Sequence, residues 1–145
     1  MREAAFFFVD TEGGFPASDT GYPEGAIWRY DPRAEELRVV FTSSAQGVLD
    51  TPDNITTSPR GGILLCEDGD RFGTRLMAIG RDGRLFALAQ NDVVLNGEVN
   101  GFTGDYRQSE WAGACFDPGG RWLFVNIQDP GITFAITGPW EHGPL

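Results

Sequence analysis

The side chains of this sequence best equipped for chemistry are oxygen donors in short clusters: Asp53-Asn54, Glu67-Asp68, and Glu110 with Gln128-Asp129. Carboxylates crowded together repel unless something neutralises them, and a donor set of carboxylate, amide and carbonyl oxygens suits a hard cation such as Ca²⁺. A β-hairpin would bring the first two clusters together. Ile55-Thr56-Thr57 is β-branched, Ser58-Pro59-Arg60-Gly61-Gly62 is turn chemistry, and Ile63-Leu64-Leu65 is an apolar run. Antiparallel pairing across that turn sets Asp53 and Asn54 opposite Glu67 and Asp68. A solvated strand end carrying turn-forming Asp and Asn has the same composition, and the hairpin by itself leaves both readings open.

The flanking elements follow the same pattern. Ala4 to Asp10 is an unbroken apolar run, expected to be a strand buried on both faces, and it ends in Asp10-Thr11-Glu12. After a loop over 15–25, Ala26 to Tyr30 and Leu37 to Phe41 flank the turn Asp31-Pro32-Arg33-Ala34. Arg75 to Gly80 and Leu85 to Ala89 flank Asp82-Gly83, a pair that tolerates the positive φ of a tight hairpin. Residues 90–109 are polar and rich in Gly and Asn, and read as a long loop. Trp111 to Phe116, Arg121 to Ile127 and Ile132 to Ile136 complete the strands.

The turns at Ser58-Pro59-Arg60-Gly61-Gly62 and Asp117-Pro118-Gly119-Gly120-Arg121 each precede an apolar strand, at a period of about 60 residues. Recurring units of four short antiparallel strands are the signature of β-propeller blades. The expected fold is therefore all-β, an incomplete β-propeller. It comprises a partial blade over 1–43, a whole blade over 52–91, a partial blade over 109–138 and a tail over 139–145. Fewer than three blades cannot close a ring, so the chain is expected to be the C-terminal piece of a longer propeller whose remaining blades are its partners, or else a chain that must assemble to cover its edges. In such a ring Asp10, Glu12, Asp53, Glu67, Asp68, Glu110, Gln128 and Asp129 converge on one rim, which favours the cation reading.

Composition narrows the function. A net charge of -10 argues against nucleic acid and against an anionic membrane surface. A single histidine, His142, argues against a histidine-rich zinc site or a Ser-His-Asp triad. Cys66 and Cys115 lie in apolar strands and read as buried thiols, with a disulfide left open. No apolar run is long enough for a membrane-spanning helix, and Met1-Arg2-Glu3 does not begin a secretory signal. Arg71 could hold an anion beside a cation but reads first as a surface charge. Trp111, next to Glu110, could wall a pocket, whereas the other tryptophans read as filling between blades.

Several motifs resemble the C-terminal part of PhoX-type alkaline phosphatases. These are Pro52-Asp53-Asn54-Ile55, Leu65-Cys66-Glu67-Asp68-Gly69, Ser109-Glu110-Trp111-Ala112-Gly113, Leu123-Phe124-Val125-Asn126-Ile127-Gln128 and Ile136-Thr137-Gly138-Pro139-Trp140. The resemblance implies a propeller whose central mouth uses calcium and iron to bind and polarise a small-molecule phosphate ester. It further implies a periplasmic or extracellular parent protein. By the resemblance Asp53, Asn54, Glu67, Asp68 and Glu110 are the candidate metal or substrate contacts, in agreement with the pairing argument; Arg71, Trp111 and Gln128 are weaker substrate-binding candidates read from the residues themselves. The family's export signal and its Cys-Glu-Glu iron motif belong to an N-terminal half not present in this sequence, so this chain alone is expected to be inactive. A non-catalytic calcium-stabilised binding module, or a calcium-dependent propeller lactonase or phosphotriesterase, would use the same acidic mouth.

Overall fold

Alternation of apolar side chains dictates the architecture. The computed structural model describes residues 5–12, 25–43, 48–69 and 72–145. Among the described residues, twelve strands form four antiparallel sheets. The first contains β1 (Phe6–Asp10), β2 (Ala26–Asp31) and β3 (Glu36–Thr42). The second contains β4 (Pro52–Thr57), β5 (Ile63–Glu67), β6 (Arg75–Ile79) and β7 (Leu85–Gln90). A hairpin of β8 (Val94–Val99) and β9 (Phe102–Asp105) precedes the last sheet, made of β10 (Trp111–Phe116), β11 (Trp122–Ile127) and β12 (Ile132–Thr137).

The four-stranded sheet is the centre because it is apolar on both faces. Successive residues of a strand point to opposite sides. Ile63 and Leu65 of β5, with Met77 and Ile79 of β6, therefore pack toward Ile27, Phe7 and Val9 of the first sheet. Leu64 and Cys66, with Leu76 and Ala78, pack the other way, onto Leu123, Val125, Ile127 and Trp111. Each fully buried aliphatic side chain contributes roughly 1.5–3 kcal/mol, so these two interfaces hold the three sheets side by side. β4 packs against β1, and β10 against both β4 and β5. Among the described residues β2 makes no comparable contact with β4. By that pattern β1 stands where β5 stands in the next sheet.

Three expectations need correction. β1 is buried on one face only: Phe6 is 61% and Phe8 43% exposed. Their cross-strand partners continue the outward face as Phe6–Tyr30–Leu37 and Phe8–Trp28–Val39. An unbroken apolar run reports that both faces are apolar, and only one of them has a neighbour in this chain. Residues 90–109 contain the β8–β9 hairpin, turned by Asn100 and Gly101 at φ of 52° and 85°. Those signs at both central residues are what an Asn-Gly hairpin turn supplies, and the polar composition around them hid it. Cys115 is exposed rather than buried, opposite Phe124 on the outward face of the last sheet, and both cysteines are free thiols.

Candidate metal centre

The site forms where the first two strands of the central sheet meet the entry to β10. β4 and β5 pair as Pro52 with Glu67 and Asn54 with Cys66, leaving Asp53 as the extra residue of a bulge. A bulge breaks the strict alternation of a strand and re-aims the side chain it carries. Beyond it the pairing resumes, with the Asp68 N–H donating to the Thr51 carbonyl at 3.1 Å. Asp68 thus leaves the end of β5 exposed to solvent. Glu110 precedes β10 and its carbonyl accepts from the Gln128 N–H at 3.0 Å, so the β10–β11 pairing fixes its backbone.

Packing of β10 on β4 closes the constellation. One carboxylate oxygen from each of Asp53, Asp68 and Glu110 lies within 4.8 Å of the other two. Three acids from three chain segments converge here, and among the described residues none of them has a basic partner. Burial, then hydrogen bonding to and charge repulsion from Asp68, with Asp53 adding to the repulsion, push the Glu110 carboxyl up to about 7. Gln128 opposes the shift by hydrogen bonding to Glu110. Glu110 Oε2 is buried without a hydrogen-bond partner. An orphaned carboxylate oxygen beside two further carboxylates fits a hard divalent cation, which satisfies lone pairs and charge together. Cys66 does not join this set: burial pushes its thiol up to about 12, so it stays protonated within the core.

Of the other residues singled out from sequence, Glu67 is fully buried and committed elsewhere. Arg75 Nε donates to its Oε2 at 2.7 Å and Arg75 Nη2 to its Oε1 at 2.8 Å, while the Asp50 N–H donates to Oε1 at 2.8 Å. Asn54 turns to the neighbouring sheet, where its Oδ1 accepts from the Gly113 N–H at 3.1 Å. Gly113 has φ +61° and lies in the β10 bulge, so the strand approaches Asn54 in a conformation that favours glycine. Trp111 is 5% exposed and stacks edge-on against Phe134 in the core. Asp10 and Glu12 lie outside the three-carboxylate cluster, and Arg71 lies outside the described residues.

A cavity of about 400 Å³ adjoins the cluster, lined by Asp68, Glu110, Gln128, Asp129, Tyr106 and Thr74 among others. No arginine lines it among the described residues. The sequence reading missed Asp50, Thr74, Arg75 and Asn91, which hydrogen-bond to Glu67 or to the Ser109 carbonyl, next to Asp68 and Glu110 in the chain. One signal was available. Glu67 closes the run Leu64-Leu65-Cys66, and a carboxylate at the end of a buried strand demands a cation, which Arg75 at the head of β6 provides.

No curated protein matches the chain. The model of the family described as alkaline phosphatase PhoX matches residues 1–131. With nearly the whole chain covered, this protein belongs to the alkaline phosphatase PhoX family.

Proposed function

We propose that this chain forms one side of the catalytic mouth of a calcium-dependent phosphate-ester hydrolase, with Asp53, Asp68 and Glu110 holding a Ca²⁺ ion. The observation that carries the reading is the convergence of three carboxylate oxygens within 4.8 Å beside an open polar cavity. When bound, the cation neutralises the phosphate dianion and polarises its ester bond. The side chains of this chain hold the remaining parts. The acids bind and orient the cation, and Gln128, which hydrogen-bonds Glu110, keeps that carboxylate turned to the mouth. With its carboxyl pushed up to about 7, Glu110 is partly protonated near neutral pH in the ion-free protein and would release that proton on binding an ion. A cavity lined by acids, with no arginine among its described residues, would repel a bare phosphate ester, so substrate binding depends on the cation.

The repeated hairpins, the packing of β10 on β4 and β5, and of β4 on β1, support a reading as consecutive propeller blades. On that reading the first sheet lacks the strand equivalent to β4. Remaining blades of a parent protein would supply it, together with the iron-binding residues of the family, in a periplasmic or extracellular setting. Calorimetric titration of the purified chain with CaCl₂ tests the site: one ion per chain is expected, and heats no larger than those of Asp68→Asn would sink the assignment. The chain alone is expected not to hydrolyse p-nitrophenyl phosphate with Ca²⁺ and iron present, and turnover would overturn the view that the mouth is incomplete.

A further inference from the structure

We propose that Thr74 and Arg75, at the head of β6, are positioning residues that set the two limbs of the Asp53–Asp68–Glu110 cluster without touching a bound ion. The inference rests on the cation reading above and concerns what holds that site in register. Buried polar side chains cost free energy unless they are paired, so their distribution marks where the fold spends stability on geometry. Six polar or charged residues are buried among the described ones, and four of them, Asp50, Glu67, Thr74 and Asn91, are hydrogen-bonded to one another or to the backbone that leads into the cluster.

Their hydrogen bonds divide into two arms that meet at β6. In the first, the Arg75 fork grips both oxygens of Glu67 at 2.7 and 2.8 Å, and Glu67 in turn receives the Asp50 N–H at 2.8 Å. That ties the end of β5 to the segment entering β4, immediately before Asp68 and three residues before Asp53. The loop leaves no slack, since a Cβ at Gly69 would lie 1.9 Å from the Asp50 carboxyl carbon. In the second arm, Thr74 Oγ1 donates to the Ser109 carbonyl at 3.0 Å, and Asn91 Nδ2 donates to the same carbonyl at 2.8 Å. Asn91 is itself docked on Thr74, whose carbonyl accepts the Asn91 N–H at 3.0 Å. The Ser109 carbonyl belongs to the peptide that leads into Glu110. Thr74, immediately before β6, and Arg75, its first residue, therefore tie down the segments that carry Asp68 and Glu110, and the separation of those acids is inherited from the backbone at the head of β6.

The test measures calcium binding by titration calorimetry on the purified chain, with melting temperature read in EDTA as a separate quantity. The variants are Arg75→Lys, which keeps the charge but loses the fork; Thr74→Val, which keeps the shape but loses the hydroxyl; and the double variant Glu67→Met with Arg75→Met, which replaces the ion pair by apolar bulk. Expected is at least a tenfold loss of calcium affinity in each, with a cooperative melt retained in Thr74→Val and in the double variant. A buried pair that served stability alone would instead shift the melt and leave the affinity of the folded protein unchanged. Folded variants that bind calcium within threefold of the parent overturn the positioning role while leaving the ion site standing. A parent chain that binds no calcium overturns both.

Discussion

The two ends of the strands treat their acids in opposite ways. At the turn end, Asp117 accepts from the backbone N–H groups of Gly119, Arg121 and Trp122 at 3.1, 2.6 and 2.6 Å. Those donors hold its carboxyl below the ordinary range, and Arg60, bonded to the Gly120 carbonyl from the neighbouring turn, adds to the effect. Asp31 is handled similarly by the N–H groups of Ala34 and Arg33. At the carboxylate cluster, Glu110 keeps an oxygen with no partner among the described residues, faces two other carboxylates, and is pushed up to about 7. An acid that closes a turn is satisfied by the turn. An acid left unsatisfied beside its own kind is held there by the rest of the fold, and that contrast separates the carboxylates proposed to hold an ion from those that serve the turns.

The sharpest way to break the comparison is to exchange the consequences of mutation at the two ends. Glu110→Gln removes one of three charges from the cluster, and charge-assisted contacts of this kind contribute about 1.5–3 kcal/mol each. Calcium affinity should fall at least tenfold, while the melting temperature of the ion-free protein holds or rises because a repulsion is relieved. Asp117→Ala should do the reverse, lowering the melting temperature and leaving calcium affinity untouched. If both variants lose calcium, the two ends are not independent. Gly69→Ala comes next in size: the added carbon must displace the Asp50 carboxylate, and overpacking of this kind costs about 1–3 kcal/mol in a melt.

Proton linkage sharpens the contrast further. Glu110 has its folded pKa raised from 4.5 to about 7, so the native protein binds its proton more tightly than the unfolded chain does. The stabilising proton is fully present below about 4.5 and is lost as pH rises through about 7. Denaturant melts of the ion-free chain should therefore show this contribution declining across that window. With calcium the trend inverts, because proton and ion compete for one carboxylate, and apparent affinity should climb from pH 5 to 7.5. In Glu110→Gln both dependences should flatten. A wild-type calcium affinity independent of pH over that range would remove Glu110 from the site.

How much of this was legible in the sequence depends on whether a residue's role is set locally. Turn chemistry is local, so Ser58 to Gly62, Asp82-Gly83 and Asp117 to Gly120 mark the strand order correctly. Antiparallel pairing from the turn outward brought Asp53 and Asp68 to one end, and the repeat brought Glu110 to the same place. What escaped was set by neighbours distant in sequence. The bulge at Asp53 put Pro52, rather than Asp53, opposite Glu67, and the turn of Asn54 toward Gly113 depends on a strand 59 residues away. Glu67 and Asp68 look equivalent as text, yet one faces Arg75 inside the protein and the other faces the mouth. Exposure of Phe6, Phe8 and Cys115 follows from which faces have a neighbour, a property of the assembly of sheets and not of any one strand.

Trp111 gives the smallest effect and the finest discrimination, because it adjoins Glu110 in sequence but not in role. Its ring is 5% exposed, packs edge-on against Phe134 at 5.7 Å between centroids, and belongs to the core between the four-stranded sheet and the last sheet. Its Nε1 is buried without an acceptor, so the indole N–H already bears a desolvation cost that no hydrogen bond returns. Trp111→Phe removes that donor and part of the ring volume together. The relief of the orphaned N–H and the loss of packed area oppose each other, and the net change in stability should stay within about 1.5 kcal/mol, as for other near-isosteric core exchanges. Calcium affinity should not move by more than twofold, because alternation along β10 turns the ring to the core side while Glu110 reaches the cavity. A large loss of calcium binding in a variant that melts like the parent would instead place the indole beside the bound ion, as a wall of the proposed site.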